Sequence, residues 1–340
     1  MKKRSCPSAL ATLAVLTALA PLSGTASAQS NVTVYGQLDL GVIKGNGGTA
    51  TNPGGLGTSK AWTVGQASSS RLGFRGTEDL GDGLSAQFQI EHRFNPDTGA
   101  VNNEKSFWNG RSFVQLNNPA LGSIYIGREY MPIYWIDIKS DPFGDDGVGQ
   151  AGGVARRGNY QTPDAVGNGS RASNSIGYKT PNFGGFTASA AVGLSEDTGL
   201  GRVQGFNAEY AAGPLYAGLG YEQVSGGSND GRGVFNLALH YNLGFVKPMV
   251  YFAQGKTDAN GNTKAKVVML GATAPLGQGV LKAMYFRFDS DINTRDRSKF
   301  GLGYNYLMSK RTTLYADLGV ARQSGLTNNN AYAFGVKHTF

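Results

Sequence analysis

One cysteine, three histidines and no long apolar run beyond residue 22 set the first limits on this 340-residue chain. Cys6 lies near the N-terminus, so a chain processed behind it has no disulfide and no thiolate ligand. His92, His240 and His338 lie far apart, and no HxxxH spacing occurs. No GxSxG elbow and no Walker loop occurs either. A catalytic or metal-binding constellation therefore cannot be assembled, and the reading is of a non-enzyme without cofactor or metal. Charged residues are only 16% of the chain, and the basic ones form no patch or stripe, which argues against a nucleic-acid partner. No segment after the N-terminus has the ~20 apolar residues that a transmembrane helix needs.

The N-terminus reads as a secretory leader. Lys2, Lys3 and Arg4 form a positive head, Ala9 to Leu22 an apolar run, and Ala26-Ser27-Ala28 a small-x-small cleavage site. Residues 1–28 are thus expected to be removed, leaving 29–340 as one domain without a linker or composition shift. Of 31 basic residues 28 then remain against 23 acidic ones, a net charge of +5.

What the chain does hold is glycine and aromatics: 51 Gly, 16 Tyr and 17 Phe, with glycine at twice its ordinary ~7%. The hydrophobic pattern has period two. Leu84, Ala86, Phe88, Ile90, His92 and Phe94 share one face, while Ser85, Gln87, Gln89, Glu91 and Arg93 share the other. The same alternation recurs over 186–194, 235–241, 300–306, 314–320 and 332–340. Seven tight turns rich in Gly, Pro or Asn fall at 79–83, 117–122, 181–185, 212–214, 242–245, 275–279 and 308–311. Eight looser stretches fall near 43–61, 95–105, 128–168, 195–203, 225–233, 255–264, 289–297 and 323–330. Those fifteen connections predict sixteen strands. Short turns at one end, long loops at the other and an even strand number describe an all-β, antiparallel transmembrane barrel. Alternation alone also fits a soluble sandwich or propeller. The last strand, running flush to Phe340, favours the barrel, whose closure satisfies every backbone group in hydrocarbon.

Several stretches resemble the Gram-negative general diffusion porins, in particular the anion-preferring beta-proteobacterial branch. They are Asn31-Val-Thr-Val-Tyr-Gly-Gln-Leu-Asp39, Arg71-Leu-Gly-Phe-Arg-Gly-Thr-Glu-Asp-Leu-Gly81, Gly127-Arg-Glu-Tyr130, Asp141-Pro-Phe-Gly144 and the terminal Phe340. The resemblance implies a homotrimer in the outer membrane of a Gram-negative bacterium, in contact with lipid bilayer and lipopolysaccharide. It implies that the assembly machinery reads the C-terminal strand at Phe340, and that the third long loop folds into the lumen. The 128–168 loop agrees, since Tyr130, Tyr134, Trp135, Ile136, Ile138 and Phe143 would be costly in water and are buried by an inner wall.

Parity then sorts the charges. Leu72 and Phe74 face lipid, so Arg71 and Arg75 face the lumen; Glu91 and Arg93 follow on the next strand, and Arg111 on the one after. The resemblance makes Arg71, Arg111 and Arg171 a basic wall at the neck, facing an acidic group on the inward loop for which Asp141, Asp145 and Asp146 are the candidates. Gln37 stands where the family often has a basic residue. Each of these charges has a plainer role available as solvated lining, and Arg75 has a partner available in Glu78. By the same parity His240 looks inward while His92 and His338 look outward. Tyr216, Tyr251 and Tyr315 point inward but sit on scattered strands, which favours a non-specific pore for small ions and solutes over a substrate-selective channel. A surface adhesin or structural barrel is the third reading.

Overall fold

The computed structural model describes residues 31–51, 57–104, 106–152, 170–195, 201–256, 263–292 and 296–340. The expected leader lies outside the described residues, as does part of the long loop, 153–169. Eighteen strand segments make one antiparallel sheet. It closes on itself where β1 (Asn31–Gly45) pairs with β18 (Asn329–Thr339), from Gln37 opposite Thr339 to Gly45 opposite Ala331. Two wall positions are each built from two collinear segments. β2 (Thr63–Gly65) and β3 (Ser70–Gly81) pair with different lengths of β1, and β5 (Ala100–Val101) and β6 (Ser112–Asn118) with different lengths of β4 (Leu84–Asn95). The wall is therefore a closed barrel of sixteen strands, without a free edge to leave polar groups in lipid.

The break between β2 and β3 has a local cause. The Asp39 carboxylate accepts the backbone N–H groups of Ala67 and Ser68 at 3.1 and 3.0 Å, which takes both amides out of the ladder. All seven short turns join adjacent strands at the places expected from sequence. The turn between β10 (Arg202–Ala212) and β11 (Leu215–Ser225) holds only Gly213 and Pro214; Gly213 has φ +54°, a conformation that favours glycine.

Alternation is plain along β12 (Gly233–Tyr241). Phe235, Leu237, Leu239 and Tyr241 are exposed on the outer face; Val234, Asn236, Ala238 and His240 are buried on the inner one. The large exposed apolar surface is the face that meets hydrocarbon. The buried apolar core lies inside the barrel, against the long loop. After β7 (Gly122–Tyr130) the chain enters helix α1 (Pro132–Ser140), which no periodicity in the sequence announces. Pro132 starts it, at a position where the missing N–H costs nothing.

Ile133 and Ile136 of α1 are fully buried, each worth about 1.5–3 kcal/mol of apolar transfer. Wall glycines make room for them: a Cβ at Gly218 would come within 2.6 Å of Ile136, and one at Gly220 within 3.1 Å of Ile133. Asn207 and Asn236 donate side-chain N–H groups to the carbonyls of Pro132 and Ile133 at 2.9 and 3.3 Å. His240 contacts the Ser140 hydroxyl at 3.1 Å, and Lys139 pairs with Glu209.

The loop then runs on across the wall. Pro142 sits on Gly271 of β14 (Lys264–Leu276), and Val148 and Gly149 lie on Gly319 of β17 (Thr312–Gln323) and Gly301 of β16 (Arg297–Leu307). A Cβ at Gly319 would stand 2.0 Å from the Val148 carbonyl oxygen, and one at Gly301 2.1 Å from that of Gly149. Gly147 N–H reaches the Ala67 carbonyl at 2.9 Å, beside the notch in the β2–β3 wall. The described part of the loop thus covers the inner face from β10 to β17 and, among the described residues, leaves the space against β1, β3, β4 and β6 open.

Candidate functional site: the narrowed lumen

That open space has a volume of about 490 Å³. Its barrel side carries Arg71 and Arg75 of β3, Arg93 of β4 and Arg111 just ahead of β6, on the side that lumen parity required. Its loop side carries Tyr130, Tyr134, Trp135 and Ile138. Glu91 is the one side-chain carboxylate among the described residues lining it, and it stands on the arginine side.

Register explains how four cations share one wall. Across β3 and β4, Arg71 is opposite Arg93, Gly73 opposite Glu91 and Arg75 opposite Gln89. Two like charges directly opposed are destabilising. Glu91, on the same face, offsets this by accepting Arg93 Nη2 at 2.7 Å and Nε at 2.9 Å. Its other oxygen accepts the Tyr35 hydroxyl at 3.1 Å, and the Arg75 guanidinium lies 5.2 Å from the Tyr35 ring centre. Arg71 donates to the Gln37 side-chain oxygen at 3.0 Å, and Gln37 donates to Ser68 Oγ at 2.7 Å. Gln37, in place of a basic residue, thus acts as a neutral brace for Arg71.

Arg111 is held by Glu129. Its Nε donates to both carboxylate oxygens at 3.0 Å, Nη2 pairs with the same group, and Nη1 donates to Gln89 Oε1 at 2.8 Å. Glu129 is 1% exposed and also accepts the Tyr130 N–H at 2.7 Å. Arg171 stands behind the opening. It is buried, donates to the Tyr130 hydroxyl, and stacks its guanidinium 4.0 Å from that ring's centre. A break in register after Gly127 sets Tyr130 opposite Arg171.

The loop side is aromatic. Tyr130 and Tyr134 stack at 4.0 Å, and Trp135 meets both edge-on at 5.3 and 5.4 Å. Burial and the neighbouring Tyr130 push the Tyr134 phenol up, which keeps that phenol neutral. Trp135 is half-exposed to the opening, and the Arg111 guanidinium lies 6.0 Å from its ring centre.

Two of the loop aspartates expected from sequence to face the arginines, Asp141 and Asp146, have partners elsewhere. Asp141 accepts the N–H groups of Phe143, Asp145 and Ala151 at 2.9, 3.4 and 3.2 Å, so its carboxylate organises the loop's own backbone. Asp145 follows in a left-handed turn at φ +62° and acts on Tyr134 electrostatically. Asp146 pairs with Lys337 of β18 at 3.2 Å. A second charged cluster joins it there, with Lys282 3.1 Å from Asp317. Phe340 closes the wall: its N–H and C=O exchange hydrogen bonds with Gly36 at 3.1 and 3.0 Å, and its ring packs on that glycine. Glu129 and the aromatic lining were not singled out from sequence as site residues. Simple parity from Ile124 and Ile126 puts Glu129 inward, so its place was readable; its pairing with Arg111 was not.

Comparison with known proteins gives the same architecture. Residues 11–326 match the Gram-negative porin family. The chain is 37% identical to outer membrane porin protein 32 of Delftia acidovorans, over 96% of this chain and 94% of that one. It is 27% identical to an outer membrane porin protein of Bordetella pertussis, over 97% of this chain and 99% of that one. Among solved structures it superposes on the anion-selective porin from Comamonas acidovorans with a TM-score of 0.78 and 31% identity, covering 92% of this chain and all of that one. The chain belongs to the Gram-negative porin family and forms an outer-membrane channel for passive diffusion of small hydrophilic solutes.

Proposed function

We propose that this channel prefers anions, weakly, and that the arginine wall sets the preference. The observation that supports this is the charge count at the opening. Arg71, Arg75, Arg93 and Arg111 line it with Glu91, and Arg171 and Glu129 stand behind them, a local excess of three positive side-chain charges. Arg71 and Arg75 make no contact ion pair among the described residues, so their guanidinium groups stay available to a passing ion. A pore narrowed by a loop selects by size first and by charge second. The reading extends to this chain the preference of the anion-selective Comamonas acidovorans porin.

The same proposal includes a cleaved leader at 1–28, a single pore domain at 29–340, and a homotrimer in contact with lipopolysaccharide. It gives Phe340 a role as the C-terminal assembly signal. It assigns no enzymatic activity; the relatives are channels. The test is planar-bilayer conductance of the mature protein under a KCl gradient. Conductance steps in threes and a reversal potential on the chloride side are expected. Arg71→Ser with Arg75→Ser is expected to move that potential toward zero. A cation-side reversal potential in the wild type would overturn the reading.

A further inference from the structure

The anion preference leaves one feature of the opening unused: the surface facing the arginines is aromatic and carries no carboxylate among the described residues. A wall that only hurries small inorganic ions has no need of such a surface. We infer that the opening is a binding site for aromatic carboxylates, which it holds by their charge on the barrel side and by their ring on the loop side.

Two halves of the ligand are matched by two halves of the site. Arg71 and Arg75 are cations without a carboxylate partner among the described residues, and a guanidinium offers a planar fork that fits a carboxylate. Arg93 and Arg111, held by Glu91 and Glu129, keep the background positive and fixed. Across the space, Trp135 and Ile138 are the half-exposed members of α1, with Tyr130 and Tyr134 packed behind them. An indole edge-braced by two tyrosines is a preorganised stacking surface, and α1 is itself pinned to the wall through Asn207, Asn236 and buried isoleucines. The volume, about 490 Å³, lies in the range of small-molecule sites. A sugar would leave an excess of positive charge unmatched; an aliphatic acid would use only the barrel side.

The inference rests on the anion-preferring reading, and one set of membranes tests both. Chloride preference is measured from the reversal potential. Block of the open-channel KCl current is then titrated at neutral pH with benzoate and with cyclohexanecarboxylate, which share charge and approximate size but differ in the ring. Benzoate is expected to block at about fivefold lower concentration, the factor an aromatic contact supplies. Trp135→Phe is expected to keep that ratio and Trp135→Leu to bring it near one. Arg71→Ser is expected to weaken block by both acids. Equal block by the two acids in a chloride-preferring wild-type pore would overturn this inference and leave the anion reading standing. No chloride preference and no block by either acid would remove both.

Discussion

Replacing Glu129 with glutamine offers a test of the arginine wall whose sign is the reverse of every arginine substitution. The carboxylate is 1% exposed, takes hydrogen bonds from Arg111 and Tyr130, and lies beside the opening through Arg111. Glutamine has nearly the same shape and keeps Oε1 as the acceptor for Arg111 Nε and the Tyr130 N–H, while its NH2 group replaces the oxygen that takes Arg111 Nη2. Alanine would instead strand Arg111 and cost about 3–5 kcal/mol, the usual result of breaking a buried pair. The charge excess at the opening then rises by one. For an anion passing at about 6 Å, one unit charge is worth about 0.7 kcal/mol at the dielectric constant of water and about 2.8 kcal/mol at an effective value near 20. The lower figure alone is about a threefold change in relative permeability. The assay is the reversal potential under a KCl gradient, on protein whose gel migration shows the heat-modifiable shift of a folded barrel. The expected result is a stronger chloride preference at similar conductance. An unchanged or reduced preference in a folded barrel would refute the reasoning, because it would mean that the fixed charges on this wall do not govern the ion path.

Three further outcomes are expected. Raising KCl from about 0.1 M to about 1 M shortens the screening length from about 10 Å to about 3 Å, so the wild-type chloride preference should fall steeply in a reversal-potential series at constant gradient ratio. Gly319→Ala puts a methyl group 2.0 Å from the Val148 carbonyl oxygen and pushes the loop off the wall into the open space; lower single-channel conductance with added open-channel noise is expected, and a quiet, unchanged conductance would show that this contact does not hold the loop. Asp317→Ala removes the partner of Lys282, which is 6% exposed in its side chain, and is expected to cost about 3–5 kcal/mol, seen as a lower temperature for the gel shift; an unshifted transition would mean that the pair contributes nothing net.

Strand count, the seven short turns and the lumen parity of Arg71, Arg75, Glu91 and Arg93 were all legible in the chain. Each depends on local rules: a two-residue pleat, turn chemistry, and the need of a bilayer to meet apolar side chains. The interruptions at 66–69 and 102–111 were not legible, because they arise from a distant carboxylate, Asp39, claiming amides of a neighbouring strand in the first case. Asp141 and Asp146 were misplaced for a similar reason. Their spacing in Asp141-Pro-Phe-Gly-Asp-Asp146 reads as an acidic cluster, yet Asp141 folds back on its own backbone and Asp146 finds Lys337 across 191 positions. The helix α1 is short and buried on nearly all sides, so it shows no amphipathic stripe to reveal it.

The sequence by itself determined that this is a closed, cysteine-free barrel with arginines on its inner face, because alternation, turns and the end of the last strand are properties of neighbouring residues. Only the tertiary structure decided where the lumen stays open and what faces those arginines. Both depend on glycines at 218, 220, 301 and 319, dispersed over three strands, that let one loop lie flat against the far wall. Removing a Cβ from a strand says nothing locally about which segment will fill the space; that is settled by which chain, arriving from more than 80 positions away, presents Ile133, Ile136, Val148 and Gly149 at those four places.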